Sequence, residues 1–293
     1  MTASTNTGVR TPGMTVAGAG MNSGGVGSGG AGMGGDGTLK SRYEAVKERV
    51  AAAARRAGRA PSDIVIVAVT KYADPEQVRA LAHLGHRDFG ESRVQHLIQQ
   101  AAMMDEFMSR RRIAHTVAAA MGEVEPVRWH MIGHLQRNKA RKAVELCRLI
   151  HSVDSLRLAE EIQALATRRE QPVDVLVQVN CSGEASKHGC PIPAALHLAE
   201  QIDTMMQVRV RGLMTMAPLS ENPEDARVTF RRCRELFHEI AKTGVSEGKF
   251  NILSMGMSSD YEVGIEEGAN MVRVGAAIFG EPKHLPGDDA DED

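Results

Sequence analysis

Three short segments carry side chains suited to covalent and phosphate chemistry. Lys71 follows the apolar run Ile64-Val65-Ile66-Val67-Ala68-Val69-Thr70, the pattern of a buried strand. A lysine at such a strand end is partly desolvated, which favours the neutral amine that adds to an aldehyde to form a Schiff base. The position equally suits an ordinary lysine reaching past the strand to water. The second segment is Ser254-Met255-Gly256-Met257-Ser258-Ser259-Asp260. Gly256 permits a sharp turn, and the hydroxyls and amides of Ser258 and Ser259 open a helix, a combination that cradles phosphate. A serine N-cap after a glycine turn reads the same way. In the third, Arg273 alternates inward with Met271, and Gly275 allows close backbone approach. A buried arginine is costly unless it is paired, so an inward one points to function.

The elements that must position these residues alternate. Eight β-branched runs, at 64–70, 87–90, 129–132, 149–153, 173–180, 208–214, 251–254 and 271–274, are separated by segments with helical spacing. Asp74-Pro75 punctuates one helix start, Asp154-Ser155 precedes another, and Gly85 and Gly268 sit where helices close. Such alternation implies parallel pairing with right-handed crossovers. A closed (β/α)8 barrel satisfies it, with an open doubly wound sheet as the alternative. A helix over 39–57 precedes the first strand. The stretch 105–126 is long for a connection and is expected to hold a short helix or an excursion. In a barrel the three segments meet at the carboxyl ends of strands 1, 7 and 8, where phosphate sites recur. A strand-1 lysine facing a phosphate cradle at strands 7 and 8 suits pyridoxal phosphate.

Composition sets the outer bounds. The 293 residues balance 35 Lys+Arg against 37 Asp+Glu, which leaves no basic footprint for nucleic acid. No apolar run approaches the length of a bilayer span. Residues 1–38 hold nearly half of the 29 glycines and no periodic apolar pattern, so they read as a disordered leader. Residues 39–285 form the expected single domain, and 286–293 an acidic tail. The four cysteines show no metal or disulfide spacing and read as free thiols of a cytoplasmic protein. His130 and His134 straddle a strand end without an evident third ligand, so no metal is expected.

The chain resembles the pyridoxal phosphate homeostasis proteins, relatives of the alanine racemase barrel domain. The resemblance spans residues 43–280. It rests on Ala68-Val69-Thr70-Lys71, on Phe89-Gly90-Glu91, and on Trp129-His130-Met131-Ile132-Gly133-His134-Leu135-Gln136-Arg137-Asn138-Lys139. It continues through His151-Ser152-Val153-Asp154-Ser155, Val179-Asn180, Lys187-His188-Gly189, Arg211-Gly212-Leu213-Met214, and the segments 254–261 and 271–280.

The resemblance implies a (β/α)8 barrel that holds pyridoxal phosphate as a Schiff base on Lys71. It implies a phosphate turn formed by Ser254, Gly256 and Ser258 with Gly275 approaching, and Arg273 facing the pyridine nitrogen. A cation there disfavours ring protonation and weakens the cofactor as an electron sink. The expected role is therefore a non-enzymatic monomeric carrier, with no catalytic residue and with cofactor-requiring apoenzymes as partners. An amino-acid racemase is the alternative. Two positions depart from the family: Ser92 stands where an Asn is usual, and Ala276 where a hydroxyl residue is common. Lys187 is either a surface charge or a second amine near the mouth.

Overall fold

The computed structural model describes residues 38–118, 125–184 and 186–281. The expected leader, apart from Thr38, and the acidic tail lie outside them. The chain opens with α1 (Leu39–Arg56), capped by Thr38, whose Oγ1 accepts from the Ser41 amide at 3.2 Å. Tyr43, Val46, Val50, Ala53 and Ala54 recur at helical spacing and are buried, so one face of α1 packs down.

Parallel strands then alternate with helices. They are β1 (Val65–Val69), β2 (Asp88–Glu91), β3 (Arg128–Met131), β4 (Cys147–Val153), β5 (Val173–Asn180), β6 (Cys190–Pro191), β7 (Val208–Met214), β8 (Ile252–Ser254) and β9 (Met271–Val274). Their order is β4-β3-β2-β1-β9-β8-β7-β5, and pairing of β4 with β5 closes the ring. The barrel is the closed one expected. Its seventh and eighth strands are β8 and β9, because β6 is a two-residue addition at the end of β5, where Val179 pairs with Cys190.

Side chains alternate across each strand. Val67, Leu149, Leu176, Met214 and Met271 point inward and fill the barrel centre. Ala68, Phe89, Trp129, Ile150 and Val175 belong to the outer layer beneath the helices. Trp129 is thus a core residue.

The helices that matter for the site are α2 (Pro75–His83), α3 (Val94–Ala118), α4 (Ala140–Leu146), α5 (Leu156–Arg169), α6 (Ile192–Asp203), α7 (Ala226–Lys242), α8 (Tyr261–Glu266) and α9 (Ala276–Phe279). Asp74 and Gln77 form a capping box at the start of α2, with Pro75 in its first turn. One expectation is corrected here. The stretch after Asp105 is no separate short helix, since α3 runs on to Ala118. No glycine or proline interrupts 94–118, so nothing breaks α3 over that span; the Glu106–Arg110 pair spans one turn at 2.5 Å, and 119–124 lie outside the described residues. Among the described residues no helix is long and apolar enough to cross a membrane.

Candidate functional site

The chain leaves β1 through Thr70 and Lys71. Thr70 Oγ1 donates to Glu91 Oε1 at 2.5 Å and its amide to Gly90 O at 3.0 Å, which ties the exit of the first strand to the second. Glu91 is fully buried, and burial pushes its carboxyl up despite the bond from Thr70. Lys71 is half-buried, with Nζ 4.7 Å from the centre of the Tyr72 ring. Its side chain lines a cavity of about 540 Å³, within the range of roughly 300–1,000 Å³ typical of small-molecule sites.

Two turns build another part of the cavity wall. In the first, after β8, Gly256 has φ +97°, and a Cβ there would come 2.8 Å from Tyr261 Cα. Only glycine fits. Met257 N donates to Asp260 Oδ1 at 2.6 Å and closes that turn. In the second, after β9, Gly275 lies so close to β1 that a Cβ would sit 3.3 Å from both Cβ and O of Val69. The turns are joined through Ser258, whose Oγ accepts from Gly275 N at 3.0 Å and from Ala277 N at 3.5 Å. The amides of Ser258, Ser259 and Ala276 donate to no acceptor among the described residues. An anion would be met by these donors.

Arg273 reaches the cavity from inside the barrel and is 3% exposed. Nη1 donates to Ser254 Oγ at 2.6 Å and Nη2 to the Thr215 carbonyl at 2.9 Å. Burial pushes the guanidinium down to about 10, so it remains a cation at neutral pH. It forms no ion pair among the described residues.

Ser254 begins a buried hydrogen-bonded chain. Its Oγ lies 3.1 Å from His151 Nδ1, His151 Nε2 lies 3.0 Å from His130 Nδ1, and His130 Nε2 lies 3.1 Å from Asp88 Oδ1. A guanidinium only donates and a carboxylate only accepts. A single run of donors joins the two ends, from Arg273 through Ser254, His151 and His130 to Asp88, with Nε2 as the donor of each imidazole. Burial holds His151 well below the ordinary histidine range. Burial alone would raise the Asp88 carboxyl, but bonds from Arg128 at 2.7 and 2.8 Å and from His130 outweigh it and hold it well below the usual carboxylate range.

The six residues singled out from sequence thus divide. Lys71, Ser258, Arg273 and Gly275 line one cavity. Ser254 and Gly256 are not on its wall: Ser254 is fully buried and holds Arg273, while Gly256 shapes the turn. Both departures from the family pattern, Ser92 and Ala276, also line the cavity. Ser92 Oγ and Gln178 Oε1, another lining residue, are buried without a hydrogen-bond partner among the described residues. Lys187 lines a separate depression with Asn180 and Arg232. His130 and His134 part company, the first facing the barrel interior and the second the cavity rim. Sequence reasoning missed the anchoring chain. The signal was His151, which alternates inward with Leu149 and directly follows the apolar pair Leu149-Ile150.

This fold and site define a class, since residues 42–282 match the family model for the alanine racemase N-terminal domain. Within that class the chain belongs to the family of pyridoxal phosphate homeostasis proteins. The one from Aquifex aeolicus is 36% identical over 247 residues, covering 83% of this chain and 98% of the relative. The solved structure of PipY from Synechococcus elongatus with pyridoxal phosphate bound shares 31% identity at a TM-score of 0.65, covering 80% of this chain and 100% of PipY. An alanine racemase from Clostridium difficile matches at a TM-score of 0.60 with 14% identity, covering 86% of this chain and 57% of the racemase. That last likeness is one of fold alone.

Proposed function

We propose that this chain holds pyridoxal 5′-phosphate as a Schiff base on Lys71 and serves in pyridoxal phosphate homeostasis as a carrier without catalytic turnover. The observation that carries the reading is the meeting, on one cavity, of a lysine amine, a buried cation that pairs with no carboxylate among the described residues, and a pair of turns whose amides are unused among them. The cavity fits the group on its own chemistry. The amides of Ser258, Ser259 and Ala276 suit a phosphate, and the orphaned Ser92 Oγ and Gln178 Oε1 await polar atoms of a ligand. Relatives named pyridoxal phosphate homeostasis protein and the loaded PipY structure support the same reading.

When bound, the cofactor supplies an aldehyde that condenses with the lysine amine and releases water. Ser258 keeps the two phosphate-facing turns together, and Gly275 brings the backbone close. Arg273 presents a fixed cation to the heterocyclic nitrogen and so disfavours its protonation, which withholds the electron sink that amino-acid chemistry needs. Ser254 positions Arg273 instead of meeting the phosphate.

The test is titration of cofactor-free protein with pyridoxal phosphate, followed by assay of the loaded protein against a panel of L-amino acids. One equivalent bound and no racemisation is the expected result. Absence of binding overturns the reading, and turnover would favour a racemase.

A further inference from the structure

We infer that His134, Asp154 and His188 form a site for one divalent first-row transition ion of the zinc class at the cavity rim. The three residues come from three separate loops, after β3, after β4 and between β5 and β6. One ligating atom from each lies within 4.8 Å of the other two. His134 Nδ1 stands 3.6 Å from Asp154 Oδ2. The two imidazoles stack, with centres 4.3 Å apart and planes inclined by 13°, so one ring must turn out of the stack before both nitrogens point at a single ion.

The contrast with the other clustered histidines carries the inference. His86, His130 and His151 each have both ring nitrogens engaged within hydrogen-bond distance. Neither His134 nor His188 has a hydrogen-bonded ring nitrogen among the described residues, so their lone pairs are unspent beside a carboxylate. The loop that carries His188 is held in place by the barrel. Gln178 Nε2 donates to His188 O at 3.1 Å, and Asn180 Nδ2 donates to Lys187 O at 3.2 Å and to Glu184 O at 2.8 Å. Asp154 directly follows β4, and His134 comes three residues after the end of β3.

The donor set selects the ion. Two imidazoles and one carboxylate suit Zn²⁺ and its neighbours in the transition series, whereas Ca²⁺ and Mg²⁺ take oxygen ligands. Ligands about 2.0–2.1 Å from a tetrahedral ion sit roughly 3.3 Å apart, so the side chains must draw in by about an ångström. His134 is 42% exposed and Asp154 18%, which leaves them room to do so. Three protein ligands leave a coordination position open. His134 and His188 line the cavity, so a water or an anionic group of a molecule within it can take that position.

The test uses tag-free full chain, stripped with a chelator and free of pyridoxal phosphate, so its outcome is separate from that of the carrier reading. Calorimetric titration with Zn²⁺ is expected to give one equivalent, Co²⁺ to give visible absorption bands from a nitrogen–oxygen site, and Mg²⁺ to give no heat. Loss of an outer hydrogen-bonding partner of a metal ligand already weakens binding by about 10–100-fold, so His188→Ala and Asp154→Asn are each expected to weaken it at least tenfold. His197→Ala, an exposed histidine elsewhere, is expected to change nothing. Zn²⁺ is also expected to raise the melting temperature of wild type but not of His188→Ala, whose own cooperative melting in the absence of metal shows that it folds. Failure of the wild type to bind Zn²⁺ at micromolar concentration would overturn the site, as would equal binding by the His188→Ala and Asp154→Asn variants.

Discussion

Arg273 Nη1 lies 2.6 Å from the hydroxyl of Ser254, so the cation facing the cavity is fixed by the neighbouring strand rather than by a carboxylate. That leaves its full charge directed at whatever enters. A carboxylate partner would have neutralised it, and an untethered side chain would have been free to turn away.

Ser254→Ala removes that tether without touching the cavity wall. A buried guanidinium donor left unmet costs about 1–3 kcal/mol. The variant is expected to melt several degrees lower and to bind pyridoxal phosphate more weakly, while keeping the lysine linkage. Unchanged melting and affinity would mean that Ser254 does not position Arg273.

Asp88 ends the same chain far from the cavity. In Asp88→Asn an amide that donates to His130 would reverse the chain, leaving Ser254 with two donors facing it and nowhere to send its own proton. A loss of about 1–3 kcal/mol in urea unfolding is expected. Nitrogen-15 spectra of the imidazoles supply the sharper reading: both His130 and His151 are expected to carry a proton on Nε2 in the wild type. The opposite tautomer on His151 would contradict the direction of the chain.

Stability is expected to fall on mild acidification. Burial pushes His86 down to about 4, and burial together with His130 and Arg273 holds His151 well below the ordinary histidine range. Both are neutral in the fold, whereas in the unfolded chain each takes a proton near pH 6.5. The unfolded state thus holds more protons between about pH 6.5 and 4, and stability rises with pH across that window, by up to about 1.4 kcal/mol per pH unit for each histidine. The depressed Asp88 carboxyl has the complementary sense: its contribution is present above roughly pH 4 and is lost as pH falls further. Denaturant midpoints measured from pH 7 to 4 check this, and a flat profile down to pH 4.5 would refute it.

Gly256→Ala places a side chain at φ +97° and against Tyr261 Cα. A positive φ costs an ordinary residue roughly 1–2 kcal/mol, and the contact adds to it. The turn carrying Ser258 is expected to shift, with weakened cofactor binding and a lower melting temperature. Crystallographic retention of the turn with unchanged affinity would show that the backbone absorbs the change.

The barrel was legible because its strands are short β-branched runs and its helices keep their spacing, both local properties. The two glycine turns and the inward phase of Arg273 were legible for the same reason. Local pattern could not reveal β6, whose two residues pair only because the chain after Asn180 folds back onto β5. Nor could it separate Ser254 from Ser258: both are serines near a glycine, and only the strand register puts one inside and the other on the wall. The meeting of His134 with Asp154 and His188 depends on three loops converging, which no spacing encodes.

The most direct measurement is borohydride reduction of the protein loaded with pyridoxal phosphate, followed by peptide mapping by mass spectrometry. Linkage at the end of β1 predicts a reduced pyridoxyl adduct on Lys71, absent from Lys71→Ala, which should still bind the phosphate reversibly through the unchanged turns. A principal adduct on Lys187 or Lys139, or undiminished labelling of Lys71→Ala, would contradict it.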